Sequence, residues 1–274
     1  MSRQWAGFTL DRPIVMGILN ITPDSFSDGG TAALDAGRAV EAGHRMTADG
    51  ADIIDVGGES TRPGAPRVAP AEEQERVLPV VRALAKTGLV VSIDTRNAAT
   101  MAAALDAGAR IVNDVSGLSH DPGAAPLVAA RNCPVVIMHM RGTPATMQAH
   151  AQYDDVVAEV AAELSARVAA AEVAGVRHDQ IMLDPGIGFA KKGTHSIELL
   201  RRLPAIVALG YPLLVGLSRK AFIGRLSGVD APTERVAGSV AGALLAVAKG
   251  ASAVRVHDVG ETVQALRVWR ALAG

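Results

Sequence analysis

Ile14-Val-Met-Gly-Ile-Leu19, closed by Asn20, is followed by a helical segment from Leu34 to Asp49, a stop at Gly50, and then Ile53-Ile-Asp-Val56. Both aliphatic runs have strand length and lack the polar alternation of a half-exposed strand, so both faces are expected to be buried. A glycine stops the helix between them. Strand, helix, strand in that order implies parallel pairing through a crossover helix. The same unit recurs along the chain in Leu89-Val-Val-Ser-Ile93, Arg110-Ile-Val112, Pro134-Val-Val-Ile-Met138, Gln180-Ile-Met-Leu183, Pro212-Leu-Leu-Val215 and Ala251-Ser-Ala-Val-Arg-Val256. Helical segments Ala98–Ala107, Asp154–Ala174 and Val236–Lys249 end at Gly108, Gly175 and Gly250. Eight such units predict a single (β/α)8 TIM barrel over residues 1–274, with no composition shift to mark a second domain. No GxGxxG follows the first run, which removes the main sign of an open dinucleotide-binding sheet.

The composition narrows the function classes. With 49% hydrophobic but only 3% aromatic residues, aliphatic side chains must fill the core. A formal net charge of -1 argues against a general nucleic-acid or anionic-membrane surface. The single cysteine, Cys133, opens an apolar run and reads as a packed thiol. One cysteine allows no internal disulfide, and neither a signal-peptide core nor a run of membrane-span length is present, so the expected location is the cytoplasm.

In such barrels the chemistry sits at the C-terminal ends of the strands. All eight runs end in polar or charged residues: Asn20; Asp55 with Glu59, Ser60, Thr61 and Arg62; Asp94, Thr95 and Arg96; Asn113 and Asp114; His139; Asp184; Ser218, Arg219 and Lys220; and Arg255 with His257. Asp114 and Thr95 look like turn residues, and His139 like a satisfied structural histidine. Arg62, Lys220, Arg255 and His257 are cations that would converge on an anion, which points to a phosphate or diphosphate. Asp94, Asn113 and Asp184 can accept hydrogen bonds from a ring with several N–H donors, such as an amino-pyrimidine edge.

The segments MGILNITPDSFSDGG (16–30), ADIIDVGGESTRPGA (51–65), SIDT (92–95), NDVSGL (113–118), MHMRGTP (138–144), DPGIGF (184–189), GLSRK (216–220) and RVHDV (255–259) together resemble the motifs of the dihydropteroate synthase family, in that family's order. The resemblance implies condensation of (7,8-dihydropterin-6-yl)methyl diphosphate with 4-aminobenzoate. It makes Asp94, Asn113, Asp184 and Lys220 pterin partners and Asn20 a Mg²⁺ ligand. Thr61, Arg62, Arg255 and His257 become partners of the diphosphate end. Phe26, Pro63 and Ser218 resemble the 4-aminobenzoate pocket, which sulfonamides also occupy, Phe189 resembles a further substrate-binding residue, and Asp28 resembles a loop residue that orders the site. Ser218 with the first amides of the following helix is an expected site for the aminobenzoate carboxylate. One departure, Lys191-Lys192-Gly193, lies past the DPGIGF core and bears on the shape of that loop only. Family membership also implies a homodimer, with Arg235–Lys249 small and apolar enough to serve.

The nucleophile in that reaction is a weakly basic aniline, so no strong general base is required, and no Ser/His/Asp set or reactive cysteine is present. Stabilisation of the departing diphosphate and an SN1-like course are expected instead. Two other readings fit parts of the pattern. A methyltetrahydrofolate-type methyltransferase would share the pterin aspartates without a diphosphate clamp, and a catalytically silent paralogue would bind pterin without turnover.

Overall fold

The computed structural model describes residues 3–21, 32–61, 64–65 and 67–273. A short antiparallel hairpin, β1 (Gln4–Trp5) and β2 (Phe8–Thr9), precedes eight parallel strands. These are β3 (Ile14–Asn20), β4 (Ile53–Gly57), β5 (Val91–Asp94), β6 (Ile111–Asp114), β7 (Val135–Met138), β8 (Ile181–Asp184), β9 (Leu214–Val215) and β10 (Ala253–Val256). The helices around them are α1 (Ala32–Ala48), α2 (Pro70–Lys86), α3 (Ala98–Asp106), α4 (Ala124–Arg131), α5 (Val156–Val173), α6 (Gly193–Arg201), α7 (Pro204–Val207), α8 (Ala221–Ser227), α9 (Val236–Ala248) and α10 (Val259–Ala273). The ladder runs β8-β7-β6-β5-β4-β3-β10-β9. A parallel bridge between Leu183 and Leu213, with Leu183 N–H donating to Pro212 O at 2.9 Å, closes the ring. The expected barrel is therefore the observed fold.

The two-residue period of a strand sorts each run into two environments. Ile14, Met16, Ile53, Ile111, Val136, Met182, Leu214 and Ala253 pack inside the barrel with Trp5. Their chain neighbours Val15, Ile54, Val112, Val135, Ile181, Leu183, Val215 and Val254 face the helices. Two residues on from the inner apolar layer, the same alternation turns Asp55, Asn113, Asp184 and Arg255 inward. In β5 it does the same for Ser92 and Asp94, because Val91 and Ile93 join the outer cluster. The barrel thus carries an apolar plug at its N-terminal end and a polar layer directly above it.

The strands run further toward the mouth than their aliphatic residues indicate. Register pairs Gly57 with Asp94, Asp94 with Asn113, and Met138 with Asp184, so these polar residues belong to the parallel ladder and not to loops. Cys133 is buried, and burial pushes its thiol up to about 11, as a packing residue requires. The hairpin has no counterpart among the strands expected from the sequence. It delivers Trp5, 2% exposed, against the plug, with the indole N–H donating to Gln180 O at 2.9 Å. Trp5→Ala is expected to cost about 3–5 kcal/mol of stability, read from a lower denaturant midpoint at unchanged m-value. Ligand binding at the opposite mouth should be unaffected.

Candidate active site

The polar layer is organised by one carboxylate. Asp55 is fully buried, and its Oδ2 accepts from Asn113 Nδ2 at 2.9 Å and from Arg255 Nε at 2.6 Å. The same guanidinium donates through Nη2 to Asp94 Oδ2 at 2.7 Å. Three strands are tied through a single cation. Burial pushes Asp94 up to about 7, against the pull of Arg255, and Asp55 adds to the rise. Burial also opposes the charge on Arg255, yet the Asp55 and Asp94 carboxylates outweigh it and raise its pKa.

Asp184 and Lys220 form the neighbouring wall. Asp184 Oδ1 accepts from Gly186 N at 2.7 Å, and burial raises its pKa. Gly186 has φ +66°, and a Cβ there would lie 1.9 Å from His139 O, so only glycine lets the 184–189 loop cross the end of β7. Lys220 Nζ donates to Ile187 O and sits 4.7 Å from the centroid of the Phe189 ring. Burial brings Lys220 down to about 8, although Asp184 pulls the other way. Asp94, Asn113, Asp184 and Lys220, which the motifs group together, are thus gathered at one mouth.

Ser218 and His257 stand together on the next two strand ends, with Ser218 Oγ 3.0 Å from His257 Nδ1 and accepting from His257 N at 3.2 Å. Helix α8 follows at Ala221 with Lys220 at its cap, so Ser218 stands two residues before that cap. Asn20 closes β3, and a Cβ on Gly57 would lie 3.7 Å from Asn20 Oδ1 and 3.4 Å from Asp94 Cβ, so the two side chains flank the same point of β4. Thr61 is half-buried just beyond β4. Phe26, Asp28, Arg62 and Pro63 lie outside the described residues.

Among the described residues no three His, Cys, Asp or Glu side chains gather as a metal cage. One amide oxygen, Asn20 Oδ1, fits a hard cation that takes most of its oxygens from a bound phosphate and water. It would not hold a metal alone.

Some parts of the site were not legible as such in the sequence. Asp55 was visible as a strand-end acid, but nothing marked it as the shared acceptor. His139 is indeed structural: it is fully buried, with Nε2 2.9 Å from Glu163 Oε2 and Nδ1 2.9 Å from Lys191 Nζ. Lys191, in the departure after DPGIGF, also donates to Phe189 O at 2.9 Å and so ties the loop that presents Phe189. Asp114 accepts from Ser116 N, Ser116 Oγ and Leu118 N, the turn role expected of it.

The sequence profile of the pterin-binding enzymes matches residues 16–257. The chain belongs to the pterin-binding enzyme family. It is 50% identical over 268 residues to the dihydropteroate synthase of Neisseria meningitidis serogroup B, covering 96% of this chain and 94% of that one. Among solved structures, dihydropteroate synthase from Xanthomonas albilineans in complex with 7,8-dihydropteroate superposes with TM-score 0.89 at 48% identity, over 97% of this chain and 96% of the other. The Yersinia pestis dihydropteroate synthase with a sulfonamide drug superposes with TM-score 0.92 at 43% identity, over 100% and 99% of the two chains.

Asp55→Ala should leave the Arg255 guanidinium and the Asn113 amide short of a buried acceptor. A loss of about 3–5 kcal/mol in stability is expected, measured by denaturant titration. Asp55→Asn, which keeps one acceptor oxygen, should lose less.

Proposed function

We propose that this chain condenses (7,8-dihydropterin-6-yl)methyl diphosphate with 4-aminobenzoate, giving 7,8-dihydropteroate and diphosphate. The observation that carries the reading is the inward trio Asp94, Asn113 and Asp184, backed by Lys220, in one barrel mouth. It is supported by relatives named dihydropteroate synthase that match over nearly the whole chain and by one whose structure holds 7,8-dihydropteroate.

In this reading Asp94, Asn113 and Asp184 accept hydrogen bonds from the pterin ring edge, and Lys220 donates to it. Arg62, Thr61, Arg255 and His257 face the diphosphate, Arg255 from a position already fixed by Asp55 and Asp94. Phe26, Pro63, Phe189 and Ser218 form the 4-aminobenzoate pocket. Mg²⁺ bound at Asn20 and the diphosphate oxygens would neutralise charge on the leaving group. The methylene C–O bond breaks and its electron pair departs with the diphosphate. Positive charge then spreads over the pterin methylene and ring, where the Asp94 carboxylate stabilises it. The aniline nitrogen forms the C–N bond with its lone pair and afterwards releases one proton. No residue has to act as a strong base.

The methyltransferase reading lacks support, because the relatives are synthases and nothing in that reaction uses Arg255 and His257 at a diphosphate end. The exposed face of α9 carries Ala237, Ala241 and Leu245 at helical spacing, beside exposed Leu226 on α8. A second copy of this chain is the proposed occupant, as a cytoplasmic homodimer. Among the described residues no helix is long and apolar enough to cross a membrane.

Diphosphate release from the pterin diphosphate, assayed with and without 4-aminobenzoate and Mg²⁺, tests the function directly. Release that depends on both is expected, with a sulfonamide competing against 4-aminobenzoate; no release in any combination would refute it. Asp94→Asn should lower turnover on the order of 10²-fold or more. Asp94 acts ionised, and its folded-state pKa is raised to about 7 from an ordinary 3.8. Activity should therefore be full above about 7 and fall as pH drops through that value, well above the usual carboxylate range. A pH profile of kcat/KM that stays flat down to pH 5 would contradict this role.

A further inference from the structure

Ser218 and Lys220 both belong to the mouth, and the residue between them has a backbone that side chains with a Cβ avoid. Lys220 N–H donates to Leu217 O at 3.2 Å, closing a four-residue turn with Ser218 and Arg219 at its centre. Arg219 has φ +60° at the third position of that turn, where glycine is the usual occupant. Glycine would take this conformation without strain, yet the chain places an arginine there.

Three anchors hold it. Arg219 N–H donates to Ser239 Oγ at 2.9 Å, and Arg219 O accepts from Arg235 Nη1 at 3.0 Å. The guanidinium grips Asp258 with both arms, Nε to Oδ2 at 3.1 Å and Nη2 to Oδ1. The Asp258 side chain is only 7% exposed, and its carbonyl accepts from Thr262 Oγ1 at 2.7 Å in the first turn of α10. Asp258 follows His257 directly, and Arg219 follows Ser218. Two cross-links between the same two strand ends therefore lie one residue apart: Ser218 with His257 in the mouth, and Arg219 with Asp258 behind it.

We propose that the Arg219–Asp258 pair is a positioning device for the aminobenzoate and diphosphate end of the site. It sets the Ser218–His257 contact without either of its own side chains touching substrate. A strained backbone that persists because its surroundings over-determine it is a common feature of functional sites, and the bidentate pair is the determinant that reaches the neighbouring strand end. The pterin floor is held separately by Asp55, so the device should act on one half of the site and spare the other.

This rests on the reading given under Proposed function. The test compares wild type, Arg219→Gly, Asp258→Asn and the double variant. Arg219→Gly keeps the turn and relieves its strain while removing the guanidinium, so folding is preserved even if Asp258→Asn is not. Arg219→Gly is expected to raise KM for 4-aminobenzoate about tenfold or more, since small misplacements at a reacting centre have large effects. The affinity for a pterin, measured by calorimetry, should stay within about twofold, and the melting temperature should not fall. The double variant should be no worse than the more affected single, because the two side chains act through one contact. Wild-type kinetic constants in Arg219→Gly would overturn the proposal, and so would equal losses in pterin affinity and melting temperature. A wild-type protein without turnover would instead overturn the functional reading, and this role with it.

Discussion

The mouth of this barrel depends on a single guanidinium shared by two carboxylates. Asp55 and Asp94 sit on adjacent strands and both point inward, so in a low-dielectric interior their charges repel strongly. Arg255, on the far side of β3, reaches both. Its Nε and Nη2 arms hold the two acids at a fixed separation, and the acceptor left on Asp55 Oδ2 then orients the Asn113 amide. Removing the cation would leave two buried carboxylates uncompensated, and the layer would have to take up a proton or open to water. The neutralisation is incomplete even so. Asp55 Oδ1 and Ser92 Oγ, inward and paired in register across β4 and β5, have no hydrogen-bond partner among the described residues. The site holds its polar groups at a cost in stability that the apolar plug below offsets.

That stacking explains why a chain with so few aromatics places two of them, Trp5 and Phe8, on a terminal hairpin. A polar layer two residues from the core is tolerable only where the layer beneath it excludes water. Trp5 caps the lower layer with Ile14, Met16, Ile53 and Met182, turning the N-terminal half of the barrel into a dry base. The acids above are therefore desolvated, and desolvation is the leading cause of the raised pKa values of Asp94 and Asp184. The same burial would make hydrogen bonds from the proposed pterin ring to these carboxylates stronger and more directional than at an open surface.

Sequence alone displayed the barrel clearly, because eight aliphatic runs with glycine-stopped helices leave few alternatives. It also displayed the mouth, since Asp94, Asn113, Asp184, Lys220, Arg255 and His257 all close such runs. What stayed hidden was pairing. Arg255 and Asp55 are two hundred positions apart, and Arg219 and Asp258 thirty-nine, so no local pattern connects them. Strand ends read short at Asp94, Asn113 and Asp184 because polarity suggests a loop, whereas ladder register carries the strand through. The hairpin strands are two residues each, below the length at which periodicity is readable. Lys191 looks like a loop variation, but its ammonium is buried against His139 because the loop folds back over β7.

The two halves of the mouth are consequently built by different means. Recognition of a ring, as proposed for Asp94, Asn113 and Asp184, needs acceptors at fixed spacing and direction, and these three are borne on strands whose geometry the ladder sets. The other half is borne on a turn, Leu217–Lys220, and on the residues that follow β10, where no ladder reaches. Side chains on a turn drift unless something outside the turn holds it. In this chain that holding comes from Ser239 of α9, from Arg235 just before that helix, and from the Asp258 carboxylate. An arginine with positive φ is a poor choice for a turn taken in isolation. It becomes a sound one when its side chain can cross to the neighbouring strand end and tie Ser218 to His257, because that tie joins two elements that the sheet alone leaves unconnected at that height.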